Sequence, residues 1–269
     1  MPRWNPSPSE LGEQYRDGCN LNARIRLHRD FSTNPQGLWE WMFERLAIPP
    51  RARVLELGSG TGAMWQQVGT RVPAGWRIVL SDLSRGIVAE ARAALALVGR
   101  RCHTMQIDAQ ALPFRNRSFD AVLANYMLYH VPDIPRALTE IRRVLKPGGC
   151  LYAATLGHAH MRELDDWAAR FLSVSDVMPS ARRFGLETGL EPLRECFGDA
   201  VTVERYSDSL VVTQVEPLMD YVQSMLRVRG HVAERQLSSL AAFIARQLEL
   251  NSAIRISKDP GMFVCRVPE

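Results

Sequence analysis

Val54-Leu55-Glu56-Leu57-Gly58-Ser59-Gly60-Thr61-Gly62 is an apolar strand that ends in an acid and then breaks into three alternating glycines. Without a Cβ, positions 58, 60 and 62 let the backbone turn sharply and come close to a ligand. Ala63-Met64-Trp65-Gln66-Gln67-Val68 then reads as the opening of a helix, so the stretch has the strand, turn and helix of a nucleotide-cofactor site. The spacing Gly58-x-Gly60-x-x-Ala63 also satisfies a tolerant dinucleotide fingerprint, and glycine spacing alone leaves a nicotinamide cofactor open. Glu56 weighs against that reading. A carboxylate at the strand tip faces a pyrophosphate with like charge, whereas it stabilises a cofactor that carries a sulfonium and an ammonium.

The downstream segments repeat the pattern of a strand ending in an acid. Trp76–Asp82 is such a strand, and Ser84 offers an N-cap to a helix over Ile87–Val98. Asp82 lies at the spacing where an acid on the second strand tip meets ribose hydroxyls. A third strand, Cys102–Ile107, ends in Asp108-Ala109 and is followed by Ala111-Leu112-Pro113-Phe114. Phe119-Asp120-Ala121-Val122-Leu123-Ala124-Asn125 is the fourth, and the turn Leu145-Lys146-Pro147-Gly148-Gly149 leads into the fifth, Cys150–Thr155.

In this order, over about residues 51–155, the pieces resemble the class I S-adenosylmethionine (SAM)-dependent methyltransferases, in particular the UbiE-like branch that acts on small molecules. The resemblance implies an α/β, Rossmann-like sheet of seven strands with helices on both faces. Its last strand is antiparallel and inserted between the fifth and sixth, here over Gly261–Val267. SAM is the implied cofactor and S-adenosylhomocysteine the product. Glu56 and the turn of Gly58, Ser59, Gly60 and Gly62 hold the methionine end, Asp82 and Leu83 the ribose, and Asp108 and Ala109 the adenine, with Asn125 adding a contact. Tyr126 and His130, just after the fourth strand, are the acceptor-side and catalytic candidates. A histidine there can take a proton from a hydroxyl at neutral pH, or can simply hold its loop. The sulfonium already carries a good leaving group, so much of the catalysis is positioning.

Composition sets the outer limits. A chain of 269 residues with 46% hydrophobic content can bury one large α/β core with an insertion, or two small ones. Net charge is +4, but the basic residues are scattered rather than clustered, so no nucleic-acid partner is expected. Five cysteines, widely spaced, give neither a metal motif nor a disulfide framework, which points to a reducing cytoplasm; no metal is expected. No apolar run approaches a membrane span.

The organisation expected is an N-terminal helical cap over residues 1–50, then the methyltransferase domain over 51–269 with helical insertions at about 157–197 and 216–250. Helices are read at about 22–30 and 36–45, and the insertion at 216–250 falls where open α/β sheets bind ligands, as a substrate lid. In the N-terminal region Arg24 and His28 share a helix face. Arg24 is expected to pair with the methionine carboxylate, Tyr15 to close the entrance and His28 to meet the substrate. Ile254–Ser257 and Met262–Val267 read as a closing antiparallel hairpin around Asp259-Pro260-Gly261. Two other classes stay in view: a nicotinamide-dependent oxidoreductase, and a non-catalytic SAM-fold binding protein.

Overall fold

A computed structural model of the chain describes residues 19–97, 102–174, 181–226 and 232–269. Tyr15 lies outside the described residues. The chain forms two compact units, each stitched from three segments: a sheet unit of Leu38–Gly157, Ser180–Tyr206 and Pro260–Glu269, and a second unit from Met1–Gly37, His158–Pro179 and Ser207–Asp259.

In the sheet unit, strands β1 (Arg51–Leu57), β2 (Gly75–Asp82), β3 (His103–Gln106), β4 (Phe119–Asn125), β5 (Leu145–Leu156), β6 (Val201–Arg205) and β9 (Pro260–Arg266) form one seven-stranded sheet in the order β3-β2-β1-β4-β5-β9-β6. The first five are mutually parallel, and β9 runs antiparallel to both β5 and β6. The expected seven strands and the inserted antiparallel strand are therefore present. One expectation is corrected. Strand β8 (Ile254–Ser257) does not hairpin with β9 but pairs antiparallel with β7 (Ser209–Val212) in a separate two-stranded sheet of the second unit.

Both sheet faces are covered, which explains the continuous apolar runs of the central strands. On one face Leu55, Leu57, Val122 and Leu151 pack with helices α5 (Ile134–Val144) and α7 (Leu190–Phe197). On the other, Val54, Leu80, Leu123 and Tyr152 pack with Trp41 and Met42 of α2 (Leu38–Glu44), Trp65 of α3 (Ala63–Val68) and Leu95 of α4 (Arg85–Leu97). Each fully buried aliphatic or aromatic side chain stabilises the fold by about 1.5–3 kcal/mol. Helix α5 begins where Asp133 accepts a hydrogen bond from the Arg136 amide at 3.0 Å, and it buries Ile134, Ala137, Leu138, Ile141 and Val144 at helical spacing. Asp120 of β4 has a structural part. Its carboxylate accepts from the Arg53 amide at 2.8 Å and pairs with Lys146 Nζ at 2.7 Å, tying β1, β4 and the start of β5.

The second unit has its own apolar core. Leu27 of α1 (Cys19–Phe31), Met161 and Leu164 beside or within α6 (Arg162–Trp167), Leu218 and Val222 of α8 (Val215–Leu226), Ile244 of α9 (Glu234–Asn251) and Ile256 of β8 pack together. A buried ion pair joins Lys258 to Asp208, whose carboxylate also accepts from the amides of Thr33 and Asn34, each at 3.0 Å. No helix among the described residues is long and apolar enough to cross a membrane.

Candidate active site

The glycine turn leaves β1 with Gly58, Gly60 and Gly62 all at positive φ, +61°, +55° and +74°. L side chains rarely adopt that region, so the turn requires glycine. A Cβ on Gly58 would stand 2.5 Å from the Cβ of Met127, too close for any rotamer to relieve. The turn thus abuts the segment that follows β4, and the strand tips supply the rest of a cradle. The Ser59 amide donates to the Ser81 carbonyl at 2.9 Å, and the Gly60 amide donates to Asp82 Oδ2 at 3.2 Å.

Glu56 is almost fully enclosed, at 2% exposure. Its Oε2 accepts from Trp65 Nε1, and its Oε1 accepts from Asn125 Nδ2 at 2.8 Å. Burial pushes its carboxyl up to about 7, against the pull of these two donors, with the nearby Asp82 adding to the rise. The proton-linkage sign follows. Between its unfolded value of 4.5 and about 7 the folded state holds more protons, so Glu56's contribution to stability is complete below pH 4.5 and is lost as pH rises through 7. Glu56→Gln is expected to flatten this part of the profile, relative to wild type, in chemical denaturation run from pH 4 to pH 8. A difference profile with no slope across that window would place Glu56 in an ordinary, ionised environment.

Asp82 is also raised by burial, while amides of Ser84 and Gly60 act to lower it; Ser84 N donates to Oδ1 at 3.0 Å. Three backbone amides, those of Ser84, Gly60 and Leu83, still leave room on the carboxylate, which can accept about four bonds in all. Leu83 stands beside it at 52% exposure, an apolar side chain held in the open at the sheet's carboxyl edge. Asp108 accepts from the backbone amide of Gln110 at 2.8 Å and from its side-chain Nε2 at 3.0 Å, and Ala109 is buried behind it. Gln110 in turn accepts at Oε1 from the Asp133 amide at 3.1 Å, which ties the Asp108 loop to the start of α5.

The segment after β4 is turned sharply. Tyr126 takes φ +56°, a left-handed conformation unusual for an aromatic residue, and its hydroxyl is buried with no hydrogen-bond partner among the described residues. Its ring meets the Trp39 ring edge to face at 6.1 Å, and burial raises its phenol well above the ordinary value. Asn125 Oδ1 likewise has no partner among the described residues. His130 closes a short 3₁₀ turn over Leu128–His130, its ring 4.6 Å from that of Tyr129. Arg183 holds this loop from a distant part of the chain, donating to the carbonyls of Val131 at 3.0 Å and Pro132 at 2.9 Å.

In the sheet unit, then, Glu56, Gly58, Ser59, Gly60, Gly62, Asp82 and Asn125 lie in one linked network, with Met127 wedged against the turn. Arg24 and His28 belong to the second unit. There Arg24 Nε donates to Ser224 Oγ at 3.1 Å, and His28 packs beside His160 and Tyr221. Trp65, Met127, Gln110 and Arg183 were not foreseen. Trp65 carried a signal, as a large donor on the first turn of the helix after the glycines. Arg183 carried none, since nothing in its local pattern points to the loop it clamps.

A carboxylate at the first strand tip, a glycine cradle, and acids at the second and third strand ends fit a cationic nucleoside cofactor. A methyltransferase-domain family model matches residues 55–153. The 2-phytyl-1,4-naphtoquinone methyltransferase of Thermosynechococcus vestitus is 32% identical over 167 residues, 60% of this chain and 71% of that protein. The ubiquinone/menaquinone biosynthesis C-methyltransferase UbiE of Hahella chejuensis is 32% identical over 136 residues, 49% of this chain and 55% of that protein. Haemonchus contortus phosphoethanolamine N-methyltransferase 2, solved with SAM, shares the fold at a TM-score of 0.59 and 17% identity, over 100% of this chain and 62% of that one. The chain belongs to the class I SAM-dependent methyltransferases. Its cofactor is SAM, and it is a methyltransferase of the branch that acts on small-molecule acceptors.

Proposed function

We propose that the chain transfers the SAM methyl group to a small, largely apolar aromatic acceptor, and that it does so mainly by positioning. The observation that carries this reading is the coupling of the glycine turn to the segment after β4: Glu56 bonded to Asn125, and Gly58 packed without a Cβ against Met127. The cofactor cradle and the aromatic acceptor segment are thereby held as one piece.

In this reading Glu56, Gly58, Ser59, Gly60, Gly62 and Asn125 hold the methionine end, Asp82 and Leu83 the ribose and its surroundings, and Asp108 and Ala109 the adenine. When bound, SAM supplies a methyl group already activated on a sulfonium. Glu56 sits poised near neutrality, so an approaching cation favours its ionised form and releases a proton there. Tyr126 and Trp39 wall the acceptor side with aromatic faces and exclude water, and the Tyr126 hydroxyl donates a hydrogen bond to an acceptor oxygen. His130 is the residue placed to take a proton when the acceptor has one to lose. The quinone rings named for the relatives above are flat and apolar, which supports an acceptor of that shape. A reducing cytoplasm is the assigned compartment, supported by Cys150 and Cys265, thiols buried in the sheet.

The test is methyl transfer from tritiated SAM to a panel of hydroquinones and naphthols, acyl-carrier carboxylates, and primary amines. Label is expected in the phenolic set. Label confined to the carboxylates or the amines would overturn the aromatic reading.

We further propose that residues 216–250, which the chain order places between β6 and β9, act as a substrate lid. With SAM or its product bound, amide exchange is expected to slow in α1, α8 and α9 as well as at residues 54–62, 82–83 and 108–109. Protection confined to the latter three would leave the second unit no part in closure, and would remove Tyr15, Arg24 and His28 from the site.

A further inference from the structure

Gln110 stands between two parts of the sheet unit, the acid that follows the third strand and the first turn of α5. Its backbone amide donates to Asp108 Oδ1 at 2.8 Å. Its side-chain Nε2 lies 3.0 Å from Oδ1 and 3.1 Å from Oδ2 of the same carboxylate, so one residue braces both oxygens. Asp108 itself is exposed, with Gln110 partly buried beside it. An exposed aspartate without such a brace samples several rotamers, and a ligand that needs one of them bears the cost of ordering it.

Gln110 is held in its turn. Its Oε1 accepts from the amide of Asp133, the N-cap of α5, at 3.1 Å, and this bond decides that the Nε2 end of the side chain faces Asp108. The Gln110 carbonyl accepts from Arg136 Nε at 3.0 Å, and the Arg136 amide donates to Asp133 Oδ1 at 3.0 Å, which closes a ring of bonds around the helix start. Helix α5 is rooted in the core through Leu138, Ile141 and Val144, so the anchor is rigid. Further along the same helix Glu140 accepts from the Leu112 amide at 2.8 Å, and Arg143 donates to the carbonyls of Leu112 at 2.9 Å and Phe114 at 2.7 Å. The loop after Asp108 is thus fastened to α5 without the Gln110 side chain. Removing that side chain frees the carboxylate more than it frees the loop.

A carboxylate offers about four acceptor positions. Gln110 places two contacts on Oδ1 and one on Oδ2, which leaves the open position on Oδ2 and gives it one direction. A single incoming N–H donor matches it.

We infer that Gln110 is a positioning residue for base recognition: by bracing Asp108 it makes the cofactor site select a purine that carries an N–H donor at C6. This rests on the placement of adenine at Asp108 in the proposed function, and adds the residue that gives that contact its selectivity.

The experiment titrates the full-length protein calorimetrically with S-adenosylhomocysteine and with its 6-deamino analogue, in which a hydrogen replaces the adenine amino group. The wild type is expected to prefer S-adenosylhomocysteine by at least about tenfold, as one hydrogen bond to a charged group gives. Gln110→Met, similar in length but without a donor, is expected to bring the ratio below about threefold, by weakening S-adenosylhomocysteine and leaving the analogue nearly unchanged. Gln110→Glu, which can still accept from the Asp133 amide but as a carboxylate cannot donate to Asp108, should do the same. A merely structural role would weaken both ligands alike, and a wild-type ratio in either folded variant overturns the inference. Asp108→Ala tests the reading beneath it, and the ratio should vanish there. A preference that survives Asp108→Ala would take adenine away from Asp108. One that is lost in Asp108→Ala but kept in the Gln110 variants would defeat the inference alone, and equal affinity in the wild type would overturn both. Thermal melts verify folding, and should one Gln110 variant fail to fold, the other decides.

Discussion

Gly58→Val is expected to lower SAM affinity by at least about 100-fold, the largest effect of any single change in the cradle. Two costs act together. A β-branched residue at φ +61° is strained, and its Cβ would stand 2.5 Å from Met127 Cβ, an atom fixed to the backbone. Either the turn or the segment after β4 must move, and in the proposed function the two hold the cofactor and the acceptor in register. Calorimetric titration with SAM, alongside a thermal melt to verify folding, measures the effect. Gly58→Ala combined with Met127→Gly removes the steric clash and keeps the torsional strain. It should recover part of the affinity lost in Gly58→Ala alone. Wild-type affinity in folded Gly58→Val would move the cofactor away from this turn.

Asp82→Ala is expected to weaken SAM binding by about 2–3 kcal/mol, on the order of 30- to 150-fold, through loss of charge-assisted bonds to the ribose hydroxyls. The structure adds a second route, since Asp82 Oδ2 also accepts from the Gly60 amide and so helps to shape the turn. Asp82→Asn separates the two. It keeps an acceptor for the backbone but carries no charge, so an intermediate loss would apportion the effect between turn and ribose. Unchanged affinity in a folded Asp82→Ala protein would take Asp82 out of the site.

The parts of the fold legible in the sequence were those governed by local rules. The apolar run ending at Glu56, the glycines at 58, 60 and 62, and the acids at strand ends 82 and 108 each state their conformation within a few residues, and the sheet order followed from the family they resemble. The closing strands show where this stops. Ile254–Ser257 and Met262–Val267 look like a hairpin because a Pro-Gly turn separates them, yet β8 takes its partner from residues 209–212. Pairing between distant strands is set by which edges are free and apolar, and that is not written in either strand. Likewise Glu56 was readable as an acid near a cation, but not as one clasped by Trp65 and Asn125 and raised toward neutrality. That shift comes from desolvation, a property of the assembled core. Arg183, too, gains its meaning only when folding brings it to the carbonyls of Val131 and Pro132.

Tyr126 sets two demands on one residue at odds. Its left-handed backbone costs on the order of 1 kcal/mol that glycine or asparagine would not pay, while its ring and buried hydroxyl are what the proposed acceptor role requires. A laboratory lineage bred for heat tolerance alone should therefore drift toward glycine or asparagine at 126, becoming hardier as it forgets its substrate, and a lineage bred for turnover should keep the tyrosine and seek its firmness elsewhere.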